Sequence, residues 1–304
     1  MRLVSYLDQG RERLGLLLGE RVVPARELLL TGPATMAELL GGGPEAVDRL
    51  RQAVATAAAT TDAEAAAGAQ NLGDVTLLAP VPRPPKIVAI GLNYRSHTGE
   101  QERPPPKEPM IFAKYPTAVI GPGAEIRWDP VLSAAVDFEG ELAAVIGRPA
   151  RRVERGEALG YLIGYTVAND VTARDLQDRD RQFTRGKSLD TFCPLGPALV
   201  TADEVPDPQA LRLTTRVNGE LLQDETTGTM IFDVAELIAF ASRAFSLEPG
   251  DVILTGTPGG VGHYRNPPRY MHDGDEVAVE IEGLGRLVNR CREERVPGEG
   301  DAES

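Results

Sequence analysis

The sequence predicts an α+β chain rich in strands: a β-rich roll or sandwich with peripheral helices, preceded by a small N-terminal α/β unit. Three observations point there. Short runs of β-branched and apolar residues end again and again at Gly or Pro, the punctuation of strands. These runs do not alternate regularly with helical stretches, which excludes a doubly wound sheet and a TIM barrel. The 24 prolines and 32 glycines suit a turn-rich body.

The 304 residues suffice for a sizeable core, and the make-up, 42% hydrophobic and 25% charged, is that of a globular protein. The formal charge is 32 − 45 = −13, which argues against nucleic acid or an anionic membrane as partner. An anionic substrate must therefore be drawn in by a local positive site, such as a metal with a few Lys or Arg. Cys193 and Cys291 make neither a disulfide framework nor a metal-binding spacing. They fit a reducing compartment, the cytoplasm, as buried thiols. The first residues carry too short an apolar stretch for a signal peptide, and no run of about 18 apolar residues exists to span a membrane.

In chain order, Leu3–Leu7, Arg13–Leu18 and Arg21–Val23 read as an antiparallel meander broken at Asp8-Gln9-Gly10 and Gly19-Glu20. Residues 35–59 are helical in character, with Val47, Leu50, Val54 and Ala57 at helical spacing after Pro44. The Ala- and Thr-rich stretch 58–70 reads as a weak helix or linker. Pro80, Pro82, Pro84 and Pro85 mark a boundary, giving an N-terminal domain over 1–79 and a main domain over 80–292. Lys86–Gly91 is a buried strand, 94–101 a helical turn, and Pro104-Pro105-Pro106 an extended segment. Strands follow at 110–113, 117–120, 136–146, 161–168, 196–200, 210–217, 251–255, 276–282 and 285–289, with helices at 172–182 and 233–245. The charged, Gly-rich residues 293–304 form a flexible tail.

Chemistry concentrates around Val136–Gly147. On a strand, Glu139 and Glu141 point to the same face. Two carboxylates side by side repel unless the face is wet or a cation sits between them. The adjoining Leu-Ala-Ala-Val-Ile run argues for burial. A second apolar run, 161–168, ends at Asn169-Asp170. Three carboxylates without Cys or His describe a site for Mg²⁺, Mn²⁺ or Ca²⁺. The plainer account is a solvated face, with Asp170 capping the next helix. His97 and Glu100 share a face if residues 94–101 are helical, so the carboxylate can orient an imidazole base; a surface i,i+3 pair explains them as well. Gly99 between them weakens that helix, suggesting a segment ordered by ligand. Lys187, in a Gly-containing loop, serves an anionic substrate or is simply solvated. Arg174 and Gln177 can reach the same cavity from the helix after Asp170. Phe112 and Lys114 share a strand face and line either a pocket or an ordinary half-buried surface. The Gly-rich loop Thr255–Gly262 lacks the ending of a P-loop and the spacing of a dinucleotide fingerprint. Its backbone N–H groups, Gly256 included, and the Thr257 hydroxyl can still hold a carboxylate.

Five blocks occur in order: Asn93-Tyr94-x-x-His97-x-x-Glu100, Asp137-Phe138-Glu139-Gly140-Glu141-Leu142, Asn169–Gln177, Gly186–Pro197 and Thr255–Gly262. Together they resemble the fumarylacetoacetate hydrolase family over residues 80–290, with 1–79 like the small N-terminal domain of its longer members. The resemblance implies a mixed β-sandwich roll, a homodimer and a divalent-metal site made by Glu139, Glu141 and Asp170. It implies that His97 and Glu100 activate water on a lid, and that Lys187 supports the reaction. Arg174, Gln177, Thr257 and Gly256, and more loosely Phe112 and Lys114, fall at substrate-side positions. The substrate class it implies is a small anionic keto acid, cleaved hydrolytically between two carbonyls like an acylpyruvate. Decarboxylation of oxaloacetate-type acids and isomerisation of 2-hydroxyhepta-2,4-diene-1,7-dioate are the alternatives on the same site. A non-catalytic metal-binding protein would bind the ion and turn over no diketone.

Overall fold

A computed structural model describes residues 1–60 and 68–295. The tail from 296 onward, and the part of the linker expected at 58–70 that spans 61–67, lie outside the described residues. Among the described residues strand accounts for 36% and helix for 26%, arranged as mixed sheets without a closed barrel.

Among the described residues one large sheet runs through the molecule. Its order is Gln70–Asn71, Arg21–Pro24, Arg11–Leu18, Arg2–Asp8, Cys193–Thr201, Leu162–Asn169, Gly140–Ile146, Val252–Leu254, Ile87–Gly91 and Met110–Lys114. The N-terminal meander forms as its sequence indicates, and Arg2 and Leu3 pair with Val200 and Leu199. The segment before residue 79 therefore shares a sheet with the rest of the chain. A second sheet has the order Glu220–Thr226, Arg212–Val217, Glu276–Ile281, Gly285–Glu293 and Glu125–Trp128.

The two sheets bury a shared core. Leu142, Ala144, Tyr165 and Val167 of the large sheet meet Leu213, Val279, Ile281 and Leu287 of the smaller one. The helix Val234–Ala244 closes that core with Leu237, Ile238 and Ala241, its N-terminus capped by Asp233 accepting from the Glu236 N–H. The opposite face of the large sheet is covered by Met36–Gly41 and Gly43–Thr60, through Leu39, Leu40, Ala46 and Leu50. Every residue of the central strand Gly140–Ile146 is buried, which explains its continuous apolar run.

Several elements differ from the sequence expectation. The strand expected over 136–146 splits at Phe138-Glu139 into Val136–Asp137 and Gly140–Ile146. Val136–Asp137 leaves the large sheet and pairs with Thr172–Ala173, the start of the helix expected at 172–182, which begins only at Arg174 and ends at Asp180. The strands Glu125–Trp128 and Glu220–Thr226 were not anticipated.

Candidate active site

The site lies where two neighbouring central strands meet a break. Gly140 pairs with Asn169, and the Asp170 N–H donates to the Glu139 carbonyl at 2.8 Å. The Asn169 side chain accepts from the Glu139 N–H at 2.9 Å, fixing the kink. As a result Glu139, Glu141 and Asp170 each present a carboxylate oxygen within 4.8 Å of the others, and all three are buried. The wet-face account of these residues is thereby excluded.

Cations surround the cluster unevenly. The Lys187 ammonium donates to Glu139 Oε2 at 2.7 Å, Asp170 Oδ2 at 2.8 Å and Thr172 Oγ1 at 2.8 Å. Arg174 Nη2 lies 2.7 Å from Glu139 Oε1 and 2.8 Å from Asp137 Oδ2. Lys114 Nζ reaches Asp170 Oδ1 at 2.5 Å. Burial alone would raise the Glu139 pKa, but Lys187 and Arg174 outweigh it and bring it down to about 2. Glu141 has no such partner. Among the described residues its Oε2 accepts from the Gly256 N–H alone, at 2.8 Å. Burial first, then Asp170 and Glu139, push its pKa well above the usual carboxylate range.

This donor set fits a divalent cation. It is all carboxylate oxygen, the chemistry hard cations require. Formally, Asp137, Glu139, Glu141 and Asp170 carry −4 against +3 from Lys114, Arg174 and Lys187, with Glu141 the uncompensated member. A dication would turn that −1 into +1, a charge suited to an anionic ligand.

Beside Glu139 of the triad lies a cavity of about 70 Å³, lined among others by His97, Gln101, Phe112, Glu139, Lys187 and Thr257. The helix Arg95–Glu100 roofs it. His97 Nδ1 lies 3.2 Å from Glu100 Oε1, and His97 Nε2 lies 3.0 Å from Gln101 Nε2. That pattern assigns the proton to Nδ1, donated to Glu100, and leaves Nε2 accepting from the Gln101 amide. The roof is tied to the Gly-rich loop: Glu100 Oε2 accepts from Gly260 N at 2.7 Å and Ser96 Oγ from Gly259 N at 2.9 Å. Asn93 anchors its start, donating to Phe232 O and Thr255 O and accepting from Phe232 N.

The residues singled out from the sequence divide by position. His97, Phe112, Arg174, Gln177, Lys187 and Thr257 line the cavity with Glu139. Phe112 packs edge-to-face on Phe183 and lies 5.1 Å below the Lys187 ammonium. Two others have different work from that expected. Lys114 is buried against Asp170 and Val171 O, so its ammonium faces the triad from behind. Gly256 gives its N–H to Glu141 rather than to the cavity. Thr257 lines the cavity, but its hydroxyl donates to Gly140 O and accepts from Gln223.

Asp137 and Gln223 were not assigned work from the sequence. Asp137 Oδ1 accepts from the Gly262 N–H, and Oδ2 accepts from the His263 N–H and from Arg174. A Cβ at Gly262 would collide with the Arg269 carbonyl and Asp137, so only Gly brings this N–H to the carboxylate. Gln223 Oε1 accepts from Gly140 N, while its amide donates to Thr257 and Pro258 O, tying the smaller sheet to the site. The Asp137 signal was present, because an Asp opening a buried run needs a partner.

Residues 86–292 match the family described as fumarylacetoacetate (FAA) hydrolase C-terminal. The chain is 46% identical over 262 residues to oxaloacetate tautomerase FAHD2B, mitochondrial, of Bos taurus, covering 86% of this chain and 80% of that protein. The fumarylacetoacetate hydrolase of Exiguobacterium antarcticum superposes with a TM-score of 0.82 at 38% identity, covering 97% of this chain and all of that one. The 2-hydroxyhepta-2,4-diene-1,7-dioate isomerase of Mycobacterium marinum gives 0.75 at 35% identity, covering 97% and 99%. The chain belongs to the fumarylacetoacetate hydrolase family.

Proposed function

We propose that this protein is a divalent-metal-dependent isomerase that interconverts the keto and enol forms of a short 2-oxo dicarboxylic acid of the oxaloacetate class. The observation that carries the reading is one small cavity, about 70 Å³, lined both by Glu139 of the acidic triad and by His97, whose ring Glu100 holds. Sites for larger organic ligands run to several hundred Å³, so a four-carbon acid suits this one better than a seven-carbon one. The 46% identical relative named oxaloacetate tautomerase supports the same choice.

Glu139, Glu141 and Asp170 would hold the cation, Mg²⁺ or Mn²⁺. When bound, the cation supplies Lewis-acid polarisation of the substrate's 2-oxo oxygen. The rest falls to side chains. Lys187, 5.1 Å above the Phe112 ring, places a positive charge where negative charge develops on the substrate. His97, held through Nδ1 by Glu100, has Nε2 for proton transfer. As the Gln101 amide gives way, Nε2 takes the proton from C3, and the imidazolium so formed returns it to the 2-oxygen, leaving the ring neutral again. The buried free thiols of Cys193 and Cys291 support a reducing compartment as the place of work.

The second reading is hydrolytic C–C cleavage of an acylpyruvate. The His97–Glu100 pair favours it, since aiming water at a carbonyl needs such a base, as does the 38% identical fumarylacetoacetate hydrolase. The deciding experiment follows decay of enol-oxaloacetate absorbance with Mg²⁺ or Mn²⁺, beside pyruvate release from oxaloacetate and cleavage of acetylpyruvate. Accelerated enol decay with acetylpyruvate left intact supports the isomerase; acetylpyruvate cleavage without accelerated tautomerisation replaces it with the hydrolase.

A further inference from the structure

We infer that Arg103 is the specificity-determining residue that recognises the far carboxylate of a dicarboxylate substrate. The inference rests on the proposed function for the identity of the substrate, but not for the charge it must carry. Three cationic side chains line the cavity: Lys187, Arg174 and Arg103. Lys187 is committed to Glu139 and Asp170, and Arg174 to Asp137 and Glu139. No described carboxylate pairs with Arg103, although Asp178 lines the same cavity. Arg103 is thus the uncommitted positive charge at a site whose buried ion pairs are otherwise closed.

Its backbone is fixed although the residue is exposed. The roof helix ends with Glu102 in the left-handed region, φ 52°. The Arg103 N–H then donates back to Thr98 O at 3.0 Å, and the Glu102 N–H to Gly99 O at 3.1 Å, a helix cap that turns the chain toward the cavity. Pro104 follows and restricts Arg103 to extended backbone. The guanidinium therefore sits on the same rigid unit as His97, and a carboxylate it grips draws the base toward the substrate. A planar fork of N–H donors suits a carboxylate better than a point charge does.

The test uses the Mg²⁺-loaded protein and two inert 2-hydroxy acids, malate and 2-hydroxybutanoate, which differ in the second carboxylate. Calorimetry should show the parent preferring malate, and Arg103→Gln losing about 10- to 100-fold of malate affinity, the scale of a charge-assisted hydrogen bond. Its affinity for 2-hydroxybutanoate should hold, and Arg103→Lys should recover part of the loss. With enol-oxaloacetate, KM should rise more than kcat falls. Equal loss for both acids, no loss for malate, or a parent that does not prefer the diacid overturns the inference. A parent that tautomerises no 2-oxo diacid, but whose Arg103→Gln variant still loses malate selectively, overturns the proposed function and leaves Arg103 in place.

Discussion

The Lys187 ammonium lies 2.7 Å from Glu139 Oε2 and bridges it to Asp170 Oδ2, so it stands between two of the three carboxylates of the triad. Burial works against its charge, but Asp170 and Glu139 outweigh that and raise its pKa. Lys187→Met should leave both carboxylates buried without that partner. Removing one member of a buried ion pair typically costs about 3–5 kcal/mol. Urea unfolding in EDTA should show a loss of that order, and Mg²⁺ should restore part of it by supplying positive charge to the same oxygens. A variant as stable as the parent in EDTA would show that the bridge contributes nothing.

Glu141 gives the opposite sign. It is buried, has the Gly256 N–H as its donor, and is repelled by Asp170 and Glu139. Glu141→Gln removes a strained negative charge, so the metal-free protein should be as stable as the parent or more so. The thermal shift produced by Mg²⁺ should vanish, where the parent gains about 2.7 kcal/mol at a hundredfold excess over Kd. Undiminished Mg²⁺ stabilisation in this variant removes Glu141 from the metal site.

Glu139 with Glu141, and the roof pair, were legible because each rests on local geometry, while Asp170 was marked by the second apolar run that ends at it. Glu139 and Glu141 are two apart near a strand, and His97 and Glu100 three apart on a helical turn. What stayed hidden depends on contacts between distant segments. Lys114 reads as a cavity residue from strand alternation, yet the fold turns its ammonium onto Asp170. Gln223 lies on a strand missed because Glu220–Thr226 is largely polar. Its hairpin signal was nevertheless there in Asn218-Gly219, whose φ values of 51° and 82° are those of a tight two-residue turn. The break at Phe138-Glu139 has no local mark, because it is imposed by pairing of Val136–Asp137 with Thr172–Ala173.

Gly99 permits a test of the roof as a lid. It sits in the helix Arg95–Glu100, and a Cβ built there meets nothing within 4 Å. Gly99→Ala should therefore stabilise the helix by about 1 kcal/mol without a clash. Hydrogen exchange over 95–100 should slow in the metal-free protein. If product leaves by lid opening, kcat should fall by up to about fivefold with KM little changed or lower. Exchange at the parent's rate would mean that Gly99 does not set the mobility of this segment.

His97→Ala separates proton transfer from metal binding. The imidazole touches Glu100 and Gln101 but none of the triad oxygens within hydrogen-bond distance. The Mg²⁺-induced thermal shift should therefore survive the substitution, while acceleration of enol-oxaloacetate decay falls by about 10²- to 10⁴-fold, the usual contribution of a positioned acid–base group. Glu100→Gln should cost less, because it orients the ring and takes no proton from the substrate. The double variant should be hardly worse than His97→Ala, since groups acting as one unit are not additive. Any metal-promoted loss of CO₂ from oxaloacetate should fall far less, having no proton to lift from C3. Should tautomerisation survive His97→Ala at near-parental rate, the base lies elsewhere. Should acetylpyruvate cleavage be the activity that collapses, the pair is aiming water, and the protein is a hydrolase.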